Sequence, residues 1–286
     1  MVKTPSPQIS HAHGYDPGLV ERLLFKVAKK WIAGFSRQDA LTEARTANRK
    51  GMSAIINFLG EDLSESEQIE ATVKEYSAVL ELLHAQSVDG SITVKPTQVG
   101  LEIGYEHCLR NLRRLIYKAK AHGIWVWIDM ESLDFTDSTI QIYLDLIEDY
   151  AHIGLALQSC LKRSASDLLH LMEKQAIVRL VKGAYHESEQ HAFHFDREIR
   201  ANFVKLMELL FANSDSRFAI ATHDSKLISD AIRLAKTGGS LNSKRFEFQL
   251  LMGIRDELKL ELVAFHISHM ERCGSPILCE DFGNEK

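Results

Sequence analysis

The chain has 286 residues, 45% hydrophobic and 26% charged, which is the composition of an ordinary globular protein and not of a disordered one. With 34 Lys and Arg against 39 Asp and Glu, the formal net charge of −5 removes the electrostatic argument for a nucleic acid or an anionic membrane surface as partner. Four cysteines without Cys-x-x-Cys spacing are too few for a disulfide scaffold.

The opening stretch, MVKTPSPQISHAHGYDPG, lacks the apolar core of a secretion signal, and no later apolar run approaches the roughly 18 residues of a membrane span. The expectation is a cytoplasmic protein, with peripheral attachment at the inner face of the membrane left open. Leu19, Leu23, Leu24, Val27 and Trp31 recur three and four apart, which predicts a helix over Leu19–Ala33. Ser36 gives a Ser-x-x-Asp start to a second helix, which Gly51 ends. From Ser53 onward, short apolar runs alternate with longer amphipathic segments. Buried parallel strands are predicted over Ser53–Leu59, Ser91–Lys95, Trp125–Asp129, Ile153–Gln158, Ile177–Lys182, Arg217–Ala221 and Arg245–Gln249. Helices are predicted over Ser64–Ala85, Gly104–Ala121, Ser138–Asp149, Ser164–Lys174, Phe195–Ala212, Lys226–Lys236 and Ile254–Val263, with Ser64 and Glu67 at capping-box spacing. This alternation without a linker implies one α/β domain, either a closed (βα)8 barrel or an open doubly wound sheet. The single Gly60 in the turn after the first strand decides neither way.

Polar residues gather where these strands end. Lys95, Asp129 and Gln158 close the second, third and fourth strands; Arg179 lies within the fifth and Lys182 ends it. Thr222 and His223 follow the sixth strand, and Glu247 and Gln249 alternate along the seventh. An unpaired charge in a buried strand costs on the order of several kcal/mol. Such a concentration at successive strand ends therefore points to a functional face, because in a barrel those ends converge on one side. Elsewhere the plainer readings hold. His186, His191 and His194 lack the His-x-x-x-His pairing of a helical zinc site, so no metal is expected. Trp125 and Trp127 read as strand packing, and Arg110, Arg113, Arg114, Lys118 and Lys120 as a solvated helix face. No Gly-x-Ser-x-Gly elbow or Walker loop is present.

Taken together and in order, WIDMES from Trp127, IGLALQSCLKR from Ile153, VRLVKGAYHE from Val178, IATHD from Ile220 and FEFQLLMGIR from Phe246 resemble the proline dehydrogenase family in its monofunctional bacterial and archaeal form. The likeness runs from about Leu19 to Val263. It implies a distorted (βα)8 TIM-type barrel that holds FAD and is preceded by helices. The implied reaction oxidises L-proline to Δ1-pyrroline-5-carboxylate and passes electrons to a quinone or similar acceptor. Asp129 and Arg179 match catalytic positions, with the arginine beside the flavin, and Lys95 matches the substrate lysine, expected to pair with Asp129. Pro96, Met130, Gln158, Lys182, Gly183, Ala184, Thr222 and His223 match cofactor contacts. Glu247 and Gln249 match the seventh-strand motif. Pro96-Thr97 stands where the family more often has Leu-Ser.

The end of the chain departs from that pattern. The family carries an aromatic residue and an Arg-Arg pair on a final helix that grips the proline carboxylate. After Val263 this chain reads AFHISHMERCGSPILCEDFGNEK, without paired arginines. Divergence and a reading-frame shift near Ala264 are both open. The resulting division is a leader with helices over 1–50, a barrel over 51–263 and an atypical tail over 264–286, with an incomplete or irregular eighth unit. Proline turnover is expected to be weak or absent with flavin affinity retained. Two alternatives stand beside this one: a flavin-free barrel serving as a ligand-binding protein, and an oxidase of a related imino acid such as hydroxyproline.

Overall fold

The computed structural model describes residues 31–34, 36–60, 62–213, 217–238, 245–269 and 277–282. Its elements in chain order are β1 (Ile32–Gly34), α1 (Arg37–Arg49), β2 (Ser53–Phe58), α2 (Ser66–Ala85), β3 (Gly90–Val94), a 3₁₀ turn (Pro96–Val99), α3 (Tyr105–His122), β4 (Val126–Ile128) and α4 (Leu133–Ile147). There follow β5 (Ile153–Gln158), α5 (Ser164–Glu173), β6 (Val178–Val181), α6 (Asp196–Ala212), β7 (Phe218–Ala221), α7 (Ser225–Thr237), β8 (Phe246–Leu251), α8 (Asp256–His269) and β9 (Ile277–Phe282). From β2 to β8 each strand pairs in parallel with the next, and β9 pairs in parallel with both β8 and β2. The sheet therefore closes on itself as a barrel, which settles the choice against an open sheet. The eighth unit is a strand alone, since no helix follows β9 among the described residues.

Local chemistry accounts for several of the boundaries. Ser36 caps α1 through a reciprocal box with Asp39, and Gly51 follows the helix with φ +81°, a backbone region that favours glycine. The expected Ser64 box does not form. Helix α2 instead begins at Ser66, with Glu65 before it and no side-chain cap. Helix α4 opens at Leu133, earlier than the expected Ser138. The helix expected over Leu19–Ala33 lies largely outside the described residues. Its last positions belong to β1, whose Ile32 pairs with Asp281 of β9, so strand pairing overrides helical periodicity there.

The main core lies between the strands and the helical ring. Ile56, Val94, Ile128, Leu155, Leu180 and Ile220 are fully buried from the strands, against Val73, Leu112, Leu146, Leu168, Leu206 and Ala231 from the helices. Each large aliphatic side chain buried there contributes roughly 1.5–3 kcal/mol. A second apolar group of Ile55, Trp127 and Ala219 is separate from it. The Trp127 ring lies so close to Gly154 on the neighbouring strand that a Cβ there would meet ring carbons at 2.2 Å. Helix α3 shows the solvated basic face expected of it, with Arg114 bound to Glu70 and Lys118 to Glu81. Among the described residues no helix is long and apolar enough to cross a membrane.

Candidate active site

The C-terminal strand ends open onto a cavity of about 1230 Å³, the end of a barrel where catalytic groups sit. Lys95, Asp129, Met130, Gln158, Arg179, Lys182, Gly183, Ala184, Thr222 and His223 all line it. Pro96 is not brought to the lining. It starts the 3₁₀ turn after β3, is buried, and its carbonyl accepts from Leu101 N–H (3.0 Å) and lies 3.5 Å from the Cys108 thiol.

Arg179 is the centre of the cavity floor. On β6 it stands opposite Ala156 of β5 and Ala219 of β7, small neighbours that leave room for a guanidinium. Only 6% of the residue is accessible. Its Nη1 donates to Asp129 Oδ1 (2.7 Å) and Thr93 Oγ1 (3.0 Å), and its Nε donates to Gln249 Oε1 (2.6 Å). The guanidinium carbon sits 4.5 Å from the centre of the Trp127 ring. Trp127 is therefore more than packing: it supplies a π face to a desolvated cation. Nη2 is buried and meets no hydrogen-bond partner among the described residues. Asp129, expected to pair with Lys95, has Arg179 as its salt-bridge partner and also accepts from Thr93 Oγ1 at 3.0 Å.

The β6 end carries a second charge group. Lys182 Nζ donates to Asp224 Oδ2 (2.9 Å) and Asp196 Oδ1 (3.0 Å), and Arg200 binds the same two carboxylates. Burial alone would raise the Asp224 carboxyl, but Lys182 and Arg200 hold it well below the usual range. Burial works to lower Lys182, and the two carboxylates outweigh it, leaving its pKa raised. Asp224 also accepts Lys226 N–H and so caps α7. Gly183 follows Lys182 with φ +105°, and a Cβ there would meet Cys160 Sγ at 2.2 Å and Gln158 Oε1 at 3.0 Å. Gln158 is oriented by its own bond to the Glu131 carbonyl (2.7 Å). Burial lowers the pKa of His223; its Nε2 accepts from Leu251 N–H (3.0 Å), which places the proton of the neutral ring on Nδ1.

Beside Asp129 and Met130, Glu131 keeps 2% of its surface and grips the loop after β3: its carboxylate accepts from Thr97 N–H (2.9 Å) and Thr97 Oγ1 (2.6 Å). Burial pushes its carboxyl up to about 7 against the pull of those bonds. Sequence reasoning passed over Thr93, Asp224, Arg200 and Glu131. Thr93 stands two residues before Lys95, and strand alternation could have placed it on the same face. Arg200 reaches the site from a helix, where no strand periodicity applies.

A sequence profile described as proline dehydrogenase matches residues 40–273. Proline dehydrogenase 2 of Bacillus subtilis (strain 168) is 32% identical over 249 residues, 84% of this chain and 82% of that protein. Proline dehydrogenase of Deinococcus radiodurans is 29% identical over 251 residues, 86% and 80% of the two chains. Among solved structures, proline utilization A from Bdellovibrio bacteriovorus superposes with a TM-score of 0.83 at 20% identity, a likeness of fold. The alignment takes in 93% of this chain and 32% of that one, so the chain spans about a third of the longer protein.

Proposed function

The chain belongs to the proline dehydrogenase family, a family of oxidoreductases acting on proline, and on that footing we propose that it oxidises L-proline to Δ1-pyrroline-5-carboxylate in the cytoplasm, with FAD in the barrel cavity and a quinone or similar carrier as final acceptor. The observation that carries this reading is the unfinished hydrogen bonding of Arg179. A buried donor without a partner costs roughly 1–3 kcal/mol, and a ligand presenting an acceptor to Nη2 removes that cost. Met130, Gln158, Lys182, Gly183, Ala184, Thr222 and His223 all face the same cavity and would hold the cofactor there. FAD, when bound, supplies the hydride acceptor.

The chain's own groups would divide the rest of the work. Proline loses a hydride from C5 and a proton from nitrogen as the C=N bond forms. Arg179 is a fixed positive charge where electron density accumulates, and such preorganised charge lowers the barrier without reorganising. Asp129, Thr93 and Gln249 hold that guanidinium in place. The proline carboxylate needs a cation, and Lys95 and Arg255, both on the lining, are the groups proposed for it. A lysine matches a planar carboxylate less well than a paired guanidinium, so turnover is expected to be weaker than in relatives carrying an Arg-Arg pair.

Titration of the purified chain with FAD, followed by quenching of flavin fluorescence, tests the reading. Saturable binding is expected, weakened about tenfold or more in Arg179→Ala, the effect of losing a charge-assisted hydrogen bond. A chain that binds no FAD overturns it. Dye reduction with proline, before and after appending a helix with an Arg-Arg pair, then tests the carboxylate assignment.

A further inference from the structure

Behind Arg179 lies a carboxyl group to which the reaction assigns no task. Along β8, Phe246 packs outward against the Phe211 ring of α6 (centroids 5.1 Å apart), and Gln249 lines the cavity. Alternation therefore turns Glu247, like Gln249, into the barrel. Glu247 retains some accessible surface, and its carboxyl is enclosed by protein.

The contact between the two is directional. Gln249 Nε2 donates to Glu247 Oε1 at 2.6 Å, while Gln249 Oε1 accepts from Arg179 Nε at 2.6 Å. The two ends of an amide are chemically opposite. With its NH2 group committed to Glu247, Gln249 can present only its oxygen to the guanidinium; reversed, it would set donor against donor. We propose that Glu247 is a positioning residue for Arg179: its carboxylate fixes the amide of Gln249, and that amide sets the guanidinium so that Nη1 meets Asp129 and Thr93 while Nη2 is left without a partner among the described residues. The role rests on the flavin reading above, which gives Nη2 its purpose.

The charged groups facing Glu247 are Arg179 on β6, Arg217 before β7 and Asp89 before β3. Burial is the largest influence and pushes the carboxyl up to about 7, against the pull of Gln249 and the two arginines. Glu247 thus changes charge near neutrality. Its ionised form accepts a charge-assisted bond from Gln249 and grips the amide more firmly than its neutral form.

The test uses the full chain with selectively ¹⁵N-labelled arginine. The Nε–Hε resonance of Arg179 is identified by its loss in Arg179→Lys and followed from pH 5.5 to 8.5. In the wild type it should shift with a single midpoint near 7, and in the isosteric Glu247→Gln the shift should vanish. In parallel, FAD affinity should rise about fivefold across that range in the wild type, the worth of one strengthened hydrogen bond, and stay flat in Glu247→Gln. An Arg179 resonance indifferent to pH in the wild type, or moving equally in the variant, overturns the proposal. Should Glu247→Gln fail to fold, the titration is repeated in Glu131→Gln, the other carboxyl near 7 at this site; the midpoint should persist there, and its loss would assign the shift to Glu131 and overturn the proposal. Absent FAD binding with the resonance behaving as expected would sink the flavin reading and leave the positioning of Arg179 standing.

Discussion

Replacing Thr97 by valine keeps the shape of a fully buried side chain and removes one hydroxyl. That hydroxyl donates to Glu131 Oε1 and accepts from Asp62 N–H at 3.0 Å. The cost depends on the charge of Glu131. Its folded pKa, about 7, lies above its ordinary 4.5. The native state therefore binds more protons between those values, and stability falls as pH rises through 7, by about 3 kcal/mol for a shift of that size. At pH 5 Glu131 is protonated in the fold and Thr97→Val loses neutral hydrogen bonds, about 1 kcal/mol. At pH 8 it loses a bond to a buried carboxylate, about 2–3 kcal/mol. Urea unfolding at the two pH values should show the deficit widening by ~1–2 kcal/mol. On a Glu131→Gln background, where position 131 no longer titrates, the same substitution should cost equally at both. A deficit already equal at pH 5 and 8 in the otherwise native protein would refute the assignment of charge to Glu131. Thr97 is two residues beyond Lys95, so the same clamp also fixes the loop that presents this lysine.

Gly183→Ala should lower stability by at least ~2 kcal/mol in urea unfolding, because φ +105° strains any Cβ and the new methyl would meet Cys160 Sγ at 2.2 Å. Adding Cys160→Ala should recover the part due to contact and leave the backbone strain. Asp224→Asn keeps an oxygen for the α7 cap but strips the charge that Lys182 and Arg200 share. Asp224 has a depressed folded pKa, so its contribution is present above about pH 4 and is lost as pH falls toward that pKa. The deficit of Asp224→Asn in thermal unfolding should accordingly be full at pH 7 and shrink on acidification below 4; a constant deficit would show that the cluster contributes no charge pairing.

The strands from β2 to β8 were legible because each is a continuous apolar run between turn residues, and Ile153–Gln158 was read with both boundaries as found. Strands β1 and β9 were not. Three residues of Ile32–Gly34 carry no period of their own, and Ile277–Phe282 is a strand by virtue of the gap between β8 and β2 that it fills. The site was legible as a set of strand ends and illegible as a set of pairs. Asp129 and Lys95 stand on adjacent strand ends, yet the salt-bridge partner of Asp129 is Arg179, 50 residues on in sequence. Such a pair depends on the curvature of the closed sheet, which no local spacing encodes. The Ser64 box failed for the opposite reason: the pattern was present, but the helix began beyond it.

Stability alone does not account for the cavity floor. Burying a guanidinium costs several kcal/mol after relaxation, and one carboxylate partner repays that only with good geometry and every remaining donor satisfied. Here Asp129 is still 20% accessible at its side chain, and Nη2 has no partner among the described residues. Leucine or valine on β6 would fill the same space at less cost, as Ile55 and Ala219 do nearby. What the arginine adds is a cation held on three sides by Gln249, Asp129 and Thr93, stacked on Trp127, with the two N–H groups of Nη2 left over. Arg179 lines the cavity at the strand ends, and its Nη2 is buried beneath that lining. If a ligand supplies an acceptor to Nη2, its binding is expected to stabilise the fold by an amount set by its concentration relative to Kd.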